Sequence, residues 1–281
     1  MLDIVKDAFY DVLKLIPFLF LAFLILEYIE HKMSKKNREY LVNNKKIGPI
    51  IGGIMGAFPQ CGFSAMATKL FSSRVITLGT LIAVYLSTSD EMLPLLISNG
   101  TNVLIILNII GIKVLIGILC GFLIDLIYRK KENYQKNIHD MCEHDDCHCE
   151  KGLLKSSIHH TLNITFYLLL ITLIINFIIY HVGEENISNF LMQKNALSYF
   201  LASLVGLIPN CASSVIITEL YINGMISVGS MFSGLLTGSG VGLLILFRTN
   251  KNIKENLLVL SIVYLIGVLC GFLIDLLGVV I

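Results

Sequence analysis

Eight consecutive residues, Leu119-Cys120-Gly121-Phe122-Leu123-Ile124-Asp125-Leu126, recur unchanged as Leu269 to Leu276. The offset is 150 residues, and at that offset the two halves of the chain align without a gap. Pro59-Gln60-Cys61 falls on Pro209-Asn210-Cys211. Gly56, Ser64, Thr68, Leu70, Gly79 and Ser89 fall on Gly206, Ser214, Thr218, Leu220, Gly229 and Ser239. Eight matches in a row are far beyond chance, even in a biased alphabet. The chain is therefore a duplication, and its fold must be one that two copies of a single unit can build.

The unit is made of apolar material. Hydrophobic residues make up 55% of the chain and charged residues only 15%, against about 25% charge in a soluble domain. At 281 residues a soluble core would need far more polar surface to cover it. With a net charge of only +1, the composition excludes an ordinary soluble enzyme, a disordered chain and a basic nucleic-acid binder. It indicates an all-α polytopic membrane protein. A span needs about 20 mostly apolar residues. Candidates lie near 8–30, 48–72, 75–97, 103–127, 159–181, 197–222, 226–247 and 256–278. Residues 1–7 lack the basic region of a secretory signal, so the first segment is read as a retained span. This divides the chain into a first transmembrane repeat over 1–127, a linker over 128–158 and a second repeat over 159–281.

Basic residues orient these spans, since Lys and Arg favour the cytoplasmic side of short loops. The 31–47 loop holds Lys32, Lys35, Lys36, Arg38, Lys45 and Lys46, and the 128–158 loop holds Arg129, Lys130, Lys131, Lys136, Lys151 and Lys155. Both are read as cytoplasmic. The 182–196 loop, with Glu184, Glu185 and only Lys194, is read as external, as are both termini. A parity conflict follows, because three apolar segments separate two loops on the same side. The expected solution is a re-entrant hairpin at 48–72, broken at Pro59-Gln60-Cys61-Gly62, and its mate at 197–222, broken at Pro209-Asn210-Cys211-Ala212. A break at 87–91 competes for the same role. Irregular backbone at membrane depth is tolerated only when buried in protein or lining a cavity.

With this orientation the first half starts outside and the second inside. The expected architecture is thus two inverted-topology repeats, each of three spans plus one broken helical hairpin. The matched pair Lys69/Glu219 agrees, being basic on one side and acidic on the other. Inverted repeats with broken helices mark secondary transporters, whose substrate sites lie near the midplane where the breaks meet. An old duplication without a transport role is the plainer reading.

The breaks carry chemistry. A proline interrupts the helix ladder, and the freed carbonyls and amide ends can coordinate ions. Here each proline is followed by an amide and a thiol. Gln60 and Asn210 offer donors and acceptors, while Cys61 and Cys211 offer ligands for soft metals and metalloids. The expected substrate site comprises Pro59, Gln60, Cys61, Ser64, Pro209, Asn210, Cys211 and Ser214. Small apolar packing residues are the alternative reading of the two thiols.

The segment Ser87-Thr88-Ser89-Asp90-Glu91, with Pro94 after it, matches Thr237-Gly238-Ser239-Gly240. Intramembrane acids are functional by default. Ser87, Ser89, Asp90, Glu91, Ser239 and Lys113 are therefore expected to bind a cation or carry the coupling proton, with Lys113 pairing an acid or else snorkelling. Solvation at the outer interface is the alternative for Asp90 and Glu91. Asp125 and Asp275 are read as interfacial anchors, and Cys120 and Cys270 as helix-packing residues.

The seven cysteines do not read as a disulfide framework, because three crowd into one hydrophilic loop. That loop, His139 to Glu150, is a metal-binding tract by composition. Cys142, His144, Cys147, His148 and Cys149 are its expected ligands, although the spacing matches no zinc-finger pattern. A solvated acidic linker is the plain alternative. No nucleotide-binding or catalytic motif occurs, so an ATP-driven pump is not expected. No organic cofactor is called for.

Three pieces, Phe58-Pro59-Gln60-Cys61-Gly62-Phe63-Ser64, Ser87-Thr88-Ser89-Asp90-Glu91-Met92-Leu93-Pro94 and Ile208-Pro209-Asn210-Cys211-Ala212-Ser213-Ser214, resemble the ten-span heavy-metal exporters of bacteria and archaea. Members of that family are labelled arsenic efflux proteins or manganese transporters. The resemblance covers nearly the whole chain. It implies a plasma-membrane exporter of a metal or metalloid ion, with the lipid bilayer as its surroundings and no nucleic-acid partner. Six full spans plus two hairpins counted as two each give the family's ten. A homodimer is compatible with the sequence. The expected activity is export of an arsenite-like soft cargo, coupled to protons, with no enzyme activity. The rival cargo is a hard divalent cation such as manganese, which would use Asp90 and Glu91 rather than the thiols. From other classes, a membrane-embedded thiol redox enzyme and a metal sensor compete. Cys61 and Cys211 have no adjacent resolving thiol, which weighs against the redox enzyme.

Overall fold

The computed structural model describes residues 47–58, 61–89, 92–128, 197–209 and 211–279, with scattered positions between 13 and 24 and between 158 and 173. The expected spans at 8–30 and 159–181, the loops used for orientation and the Cys/His tract lie wholly or mostly outside them. Regular structure among the described residues is helical, with no strand. The first half contributes α1 (Gly48–Gly56), α2 (Cys61–Ser72), α3 (Leu78–Ser87), α4 (Met92–Ser98) and α5 (Val103–Tyr128). The second contributes α6 (Leu197–Gly206), α7 (Cys211–Ile222), α8 (Val228–Thr237), α9 (Gly242–Thr249) and α10 (Ile253–Leu276). The five helices recur in order at the offset of the sequence repeat.

Each half therefore breaks twice. The expected hairpin at 48–72 is split into α1 and α2, as its mate is into α6 and α7. The segment expected as one span at 75–97 is also split, into α3 and α4, and its mate into α8 and α9. Helices stop at both of the candidate break positions.

Among the described residues, four helical stretches are long and apolar enough to cross a membrane: Leu78–Ser98, Val103–Tyr128, Val228–Thr249 and Ile253–Leu276. They divide into two kinds. The protein buries 75% and 83% of the apolar windows of the two broken stretches, but only 22% and 33% of those of α5 and α10. The broken stretches form the centre. The long helices form the flanks, with Leu104, Leu107, Leu115, Leu119 and Leu123 turned outward from α5. A helix apolar on every side suits such a position, with protein against one face and hydrocarbon against the other.

The repeated octapeptide docks each long helix on its central neighbour. A Cβ on Gly79 would lie 2.1 Å from the Gly121 carbonyl oxygen, and one on Gly229 would lie 2.2 Å from that of Gly271. Only glycine allows so close a crossing, which is how helices associate where no hydrophobic effect drives them together. Four residues along, the aspartate caps the neighbour's N-terminus. Asp125 accepts from the Gly79 amide at 2.8 Å and from the Thr77 hydroxyl at 2.7 Å. Asp275 accepts from the Gly229 amide at 2.6 Å, from Ser227 and from Tyr199. Thr77 and Ser227 in turn accept from the amides of Thr80 and Ser230, as N-caps do. The two aspartates are thus helix-docking groups rather than interfacial anchors.

The halves interlock reciprocally. Helix α2 of the first half packs on α9 of the second, and α7 of the second packs on α4 of the first. The α2–α9 contact is polar as well as apolar. The Thr68 hydroxyl meets the Tyr85 hydroxyl at 2.6 Å and the Gly242 carbonyl at 3.3 Å, and Ser72 meets Thr249 at 2.8 Å. At one end Arg74 grips Glu255 with both terminal guanidinium nitrogens, and Asn250 donates to the same carboxylate. Of the matched pair, Lys69 is buried, whereas Glu219 is exposed.

Candidate functional site

The site begins with the way α3 ends. Thr88 leaves the helix with extended backbone (φ −54°, ψ 129°). Its hydroxyl donates back to the Val84 carbonyl at 2.8 Å, and Ser87 does the same to Ala83 at 2.7 Å. The Thr88 carbonyl, one of the acceptors that a helix end leaves without a partner, receives the ammonium of Lys113 from α5. Lys113 is 1% exposed, so it does not snorkel. A cation at the C-terminal end of a half-helix also meets the negative end of the helix dipole.

The matching break in the second half closes differently. Val263 stands where Lys113 stands in the first. The Ser239 amide donates to the Thr237 carbonyl at 2.9 Å and the Gly242 amide to the Ser239 carbonyl at 3.2 Å, so backbone satisfies backbone. Gly240 takes a left-handed conformation (φ 55°) to make this turn. The Ser239 hydroxyl is buried, with no hydrogen-bond partner among the described residues.

The two breaks meet at a cavity. Thr88, Ser89, Met92 and Lys113 line it from the first half, and Ser213, Ser214, Leu235, Gly238 and Gly240 from the second. Ser213 and Ser214 stand in the first turn of α7, directly after the proline break. The wall thus offers hydroxyl oxygens and one ammonium on an apolar frame. Such a wall can bind an ion or a hydroxylated species through oxygen and N–H contacts.

Of the residues expected to form the site, Ser89, Lys113 and Ser214 line this cavity, and Ser239 is buried between two glycines that do. Ser64 and Ser87 do not line it. Ser64 packs beneath Gly242, where a Cβ would lie 3.1 Å from its own, and Ser87 packs against Gly56. Pro209 lies in the turn between α6 and α7. Pro59, Gln60, Asp90, Glu91 and Asn210 lie outside the described residues, as do the side chains of Cys61 and Cys211. So do Cys142, His144, Cys147, His148 and Cys149. Among the described residues, no three His, Cys, Asp or Glu side chains come together as a metal centre. The structure adds Thr88, Met92, Ser213, Leu235, Gly238 and Gly240. Thr88 and Gly238 were marked by their breaks, and Ser213 by its place beside Ser214. Met92 and Leu235 had no signal beyond hydropathy.

A family model described as "Putative, 10TM heavy-metal exporter" matches the chain over residues 1–181 and again over 169–279. Comparison with curated proteins and with solved structures gives no match.

Proposed function

The chain belongs to this family of 10TM heavy-metal exporters, and on that premise we propose that it is a secondary active transporter exporting a heavy metal or metalloid across the plasma membrane. The observation that carries the reading is the cavity where the two central breaks meet, lined from both halves. Sites between two structural repeats, at interrupted helices, are the arrangement from which alternating access works. In this reading the repeats are inverted, with their pseudo-two-fold axis in the membrane plane. One break pair, at 57–60 and 207–210, forms re-entrant hairpins whose tips bring Cys61 and Cys211 to the cargo. Coupling is to protons through Asp90 and Glu91, since no nucleotide motif is present. Both termini are external, and the 31–47 and 128–158 loops are cytoplasmic.

The cargo divides along ligand chemistry. Thiols at the hairpin tips favour a soft, arsenite-like species, bound with Gln60 and Asn210. A second reading, a hard divalent cation such as manganese, is favoured by the oxygen-rich wall of Thr88, Ser89, Ser213 and Ser214. Lys113 weighs against a bare cation unless Asp90 and Glu91 offset its charge.

The test is cell-associated metal by elemental mass spectrometry in a transporter-deficient host challenged with arsenite, manganese and zinc. If wild type lowers arsenic and Cys61→Ser/Cys211→Ser does not, the thiol site stands. If wild type lowers manganese and the double variant still does, the thiols pack and the site moves to Asp90 and Glu91. If no element changes, export of these metals is refuted.

A further inference from the structure

Three hydroxyls of the cavity wall have their protons already engaged. Thr88 donates to the Val84 carbonyl at 2.8 Å, Ser89 to the Ser87 carbonyl at 3.1 Å, and Ser213 to the Ile208 carbonyl at 3.2 Å. A hydroxyl has one proton and two lone pairs. Once the proton is bonded back to the main chain, lone pairs are what it has left to offer. All three residues are buried, so a ligand in the cavity must supply what water would otherwise give them. Lys113, the cation of the wall, turns its ammonium to the Thr88 carbonyl. The second half adds Ser239, the repeat mate of Ser89. Its hydroxyl is buried without a hydrogen-bond partner, and the flanking Gly238 and Gly240 both line the cavity. A buried polar group in that state calls for a partner.

We propose that the cavity takes its cargo in a hydroxylated or hydrated form, held through O–H groups that the cargo donates to Thr88, Ser89 and Ser213, and that it discriminates against oxyanions. The inference rests on the reading of this cavity as the cargo site. An oxyanion brings only acceptors, so it would set lone pairs against lone pairs. To hold it the three hydroxyls would have to turn, and each would surrender the backbone bond it now makes. A bare cation is poorly served too. Among the described residues, no three His, Cys, Asp or Glu side chains gather to replace its water. A neutral trihydroxy acid or an aqua cation keeps its own oxygens on the central atom and presents their protons outward. Those protons are what the wall lacks. Of the two, the uncharged acid does not contend with the Lys113 ammonium. Ser239 can accept from such a cargo or donate to it. No bond to the cargo's central atom forms or breaks in this mode of binding.

The test is equilibrium dialysis of the purified full-length protein at neutral pH against boric acid, manganese(II) or selenate, with the bound element counted by mass spectrometry. Boric acid is the uncharged trihydroxy probe and has no affinity for thiols. Manganese(II) is the aqua cation, and selenate is the oxyanion. Wild type, Thr88→Val, Ser89→Ala and Ser98→Ala are compared, each eluting as the wild type does in size exclusion. Ser213→Ala stands in where Thr88→Val does not fold. Ser98 also bonds its hydroxyl back to its own helix, but it is exposed and does not line the cavity. Boric acid or manganese(II) is expected to bind, about two- to tenfold more weakly in each wall variant and unchanged in Ser98→Ala. The tighter of the two names the form that the wall takes. Selenate bound, and weakened by the same variants, would show a wall that donates. Binding of every probe indifferent to Thr88 and Ser89, or no binding, would remove the wall from recognition. Each of these results overturns the proposal. Cellular export that persists beside them leaves the transporter standing and removes this inference alone.

Discussion

The central breaks of the two halves occupy matching positions yet are completed by different means. In the first, the Thr88 carbonyl is satisfied by a side chain brought from α5, the ammonium of Lys113. In the second, the chain turns through Gly238, Ser239 and Gly240, backbone amides meet the Thr237 and Ser239 carbonyls, and the place of the lysine is taken by Val263. Around these breaks the scaffold is the same, with glycine crossings, aspartate caps and buried central helices in both. Duplication supplied the frame twice, and charge was placed in one copy only.

The largest effect should come from erasing the difference. Lys113→Val makes the first break like the second but leaves the Thr88 carbonyl without its donor. We expect a loss of about 1–3 kcal/mol of stability, and export reduced by more than about tenfold if the ammonium also faces cargo. Thermal melting followed by size exclusion reads the first, and cellular metal the second. Full export by this variant would make the lysine a structural plug. The converse, Val263→Lys, buries a second ammonium in an apolar helix, at a cost of about 2.5–3.5 kcal/mol.

Next come the elements the halves share. Gly79→Ala and Gly229→Ala force a methyl against a carbonyl on the facing helix, and each should destabilise by about 1–3 kcal/mol. Near-equal falls in melting temperature are expected, whereas a large fall in only one would show that the frame is not equivalent. Asp125→Asn and Asp275→Asn should each lose about 0.5–2 kcal/mol of capping energy.

The smallest effect concerns the end closed by Arg74 and Glu255. Arg74 holds a left-handed conformation (φ 60°), and its mate in the other half is Gly224 (φ 69°), to which that conformation comes freely. Glu255→Gln should cost about 0.2–1 kcal/mol of melting stability, as partly exposed pairs do. If the pair latches that end, the rate of export will change by more than this loss accounts for.

Much of the frame was legible in the sequence. The exact recurrence gave the repeat, and Pro59, Pro209 and the Gly238–Gly240 run marked where helices stop, because breakers act locally. What escaped depends on contacts that cross the chain. Asp125 reaches back 46 residues to the Gly79 amide, and Thr68 meets the Gly242 carbonyl across 174. Hydropathy counts residues along a line and cannot register either. Lys113 was legible as unusual, but its bond to the Thr88 carbonyl was not, because a backbone carbonyl is a group every residue carries. The second break of each half was legible only as a competitor to the first, since parity asks for one re-entrant segment and is silent about a helix that pauses within its span.

The reciprocal packing of α2 on α9 and of α7 on α4 has a consequence for synthesis. Thr68 is fully buried, yet one of its partners lies 174 residues downstream, and Ser72 waits for Thr249 across 177. Contacts so distant in sequence close late and slowly. A nascent first half therefore sits in the bilayer with hydroxyl-bearing faces unclosed until the last helices leave the ribosome. Cut within the 128–158 linker, the two fragments should mature only when made together, since each carries what completes the other.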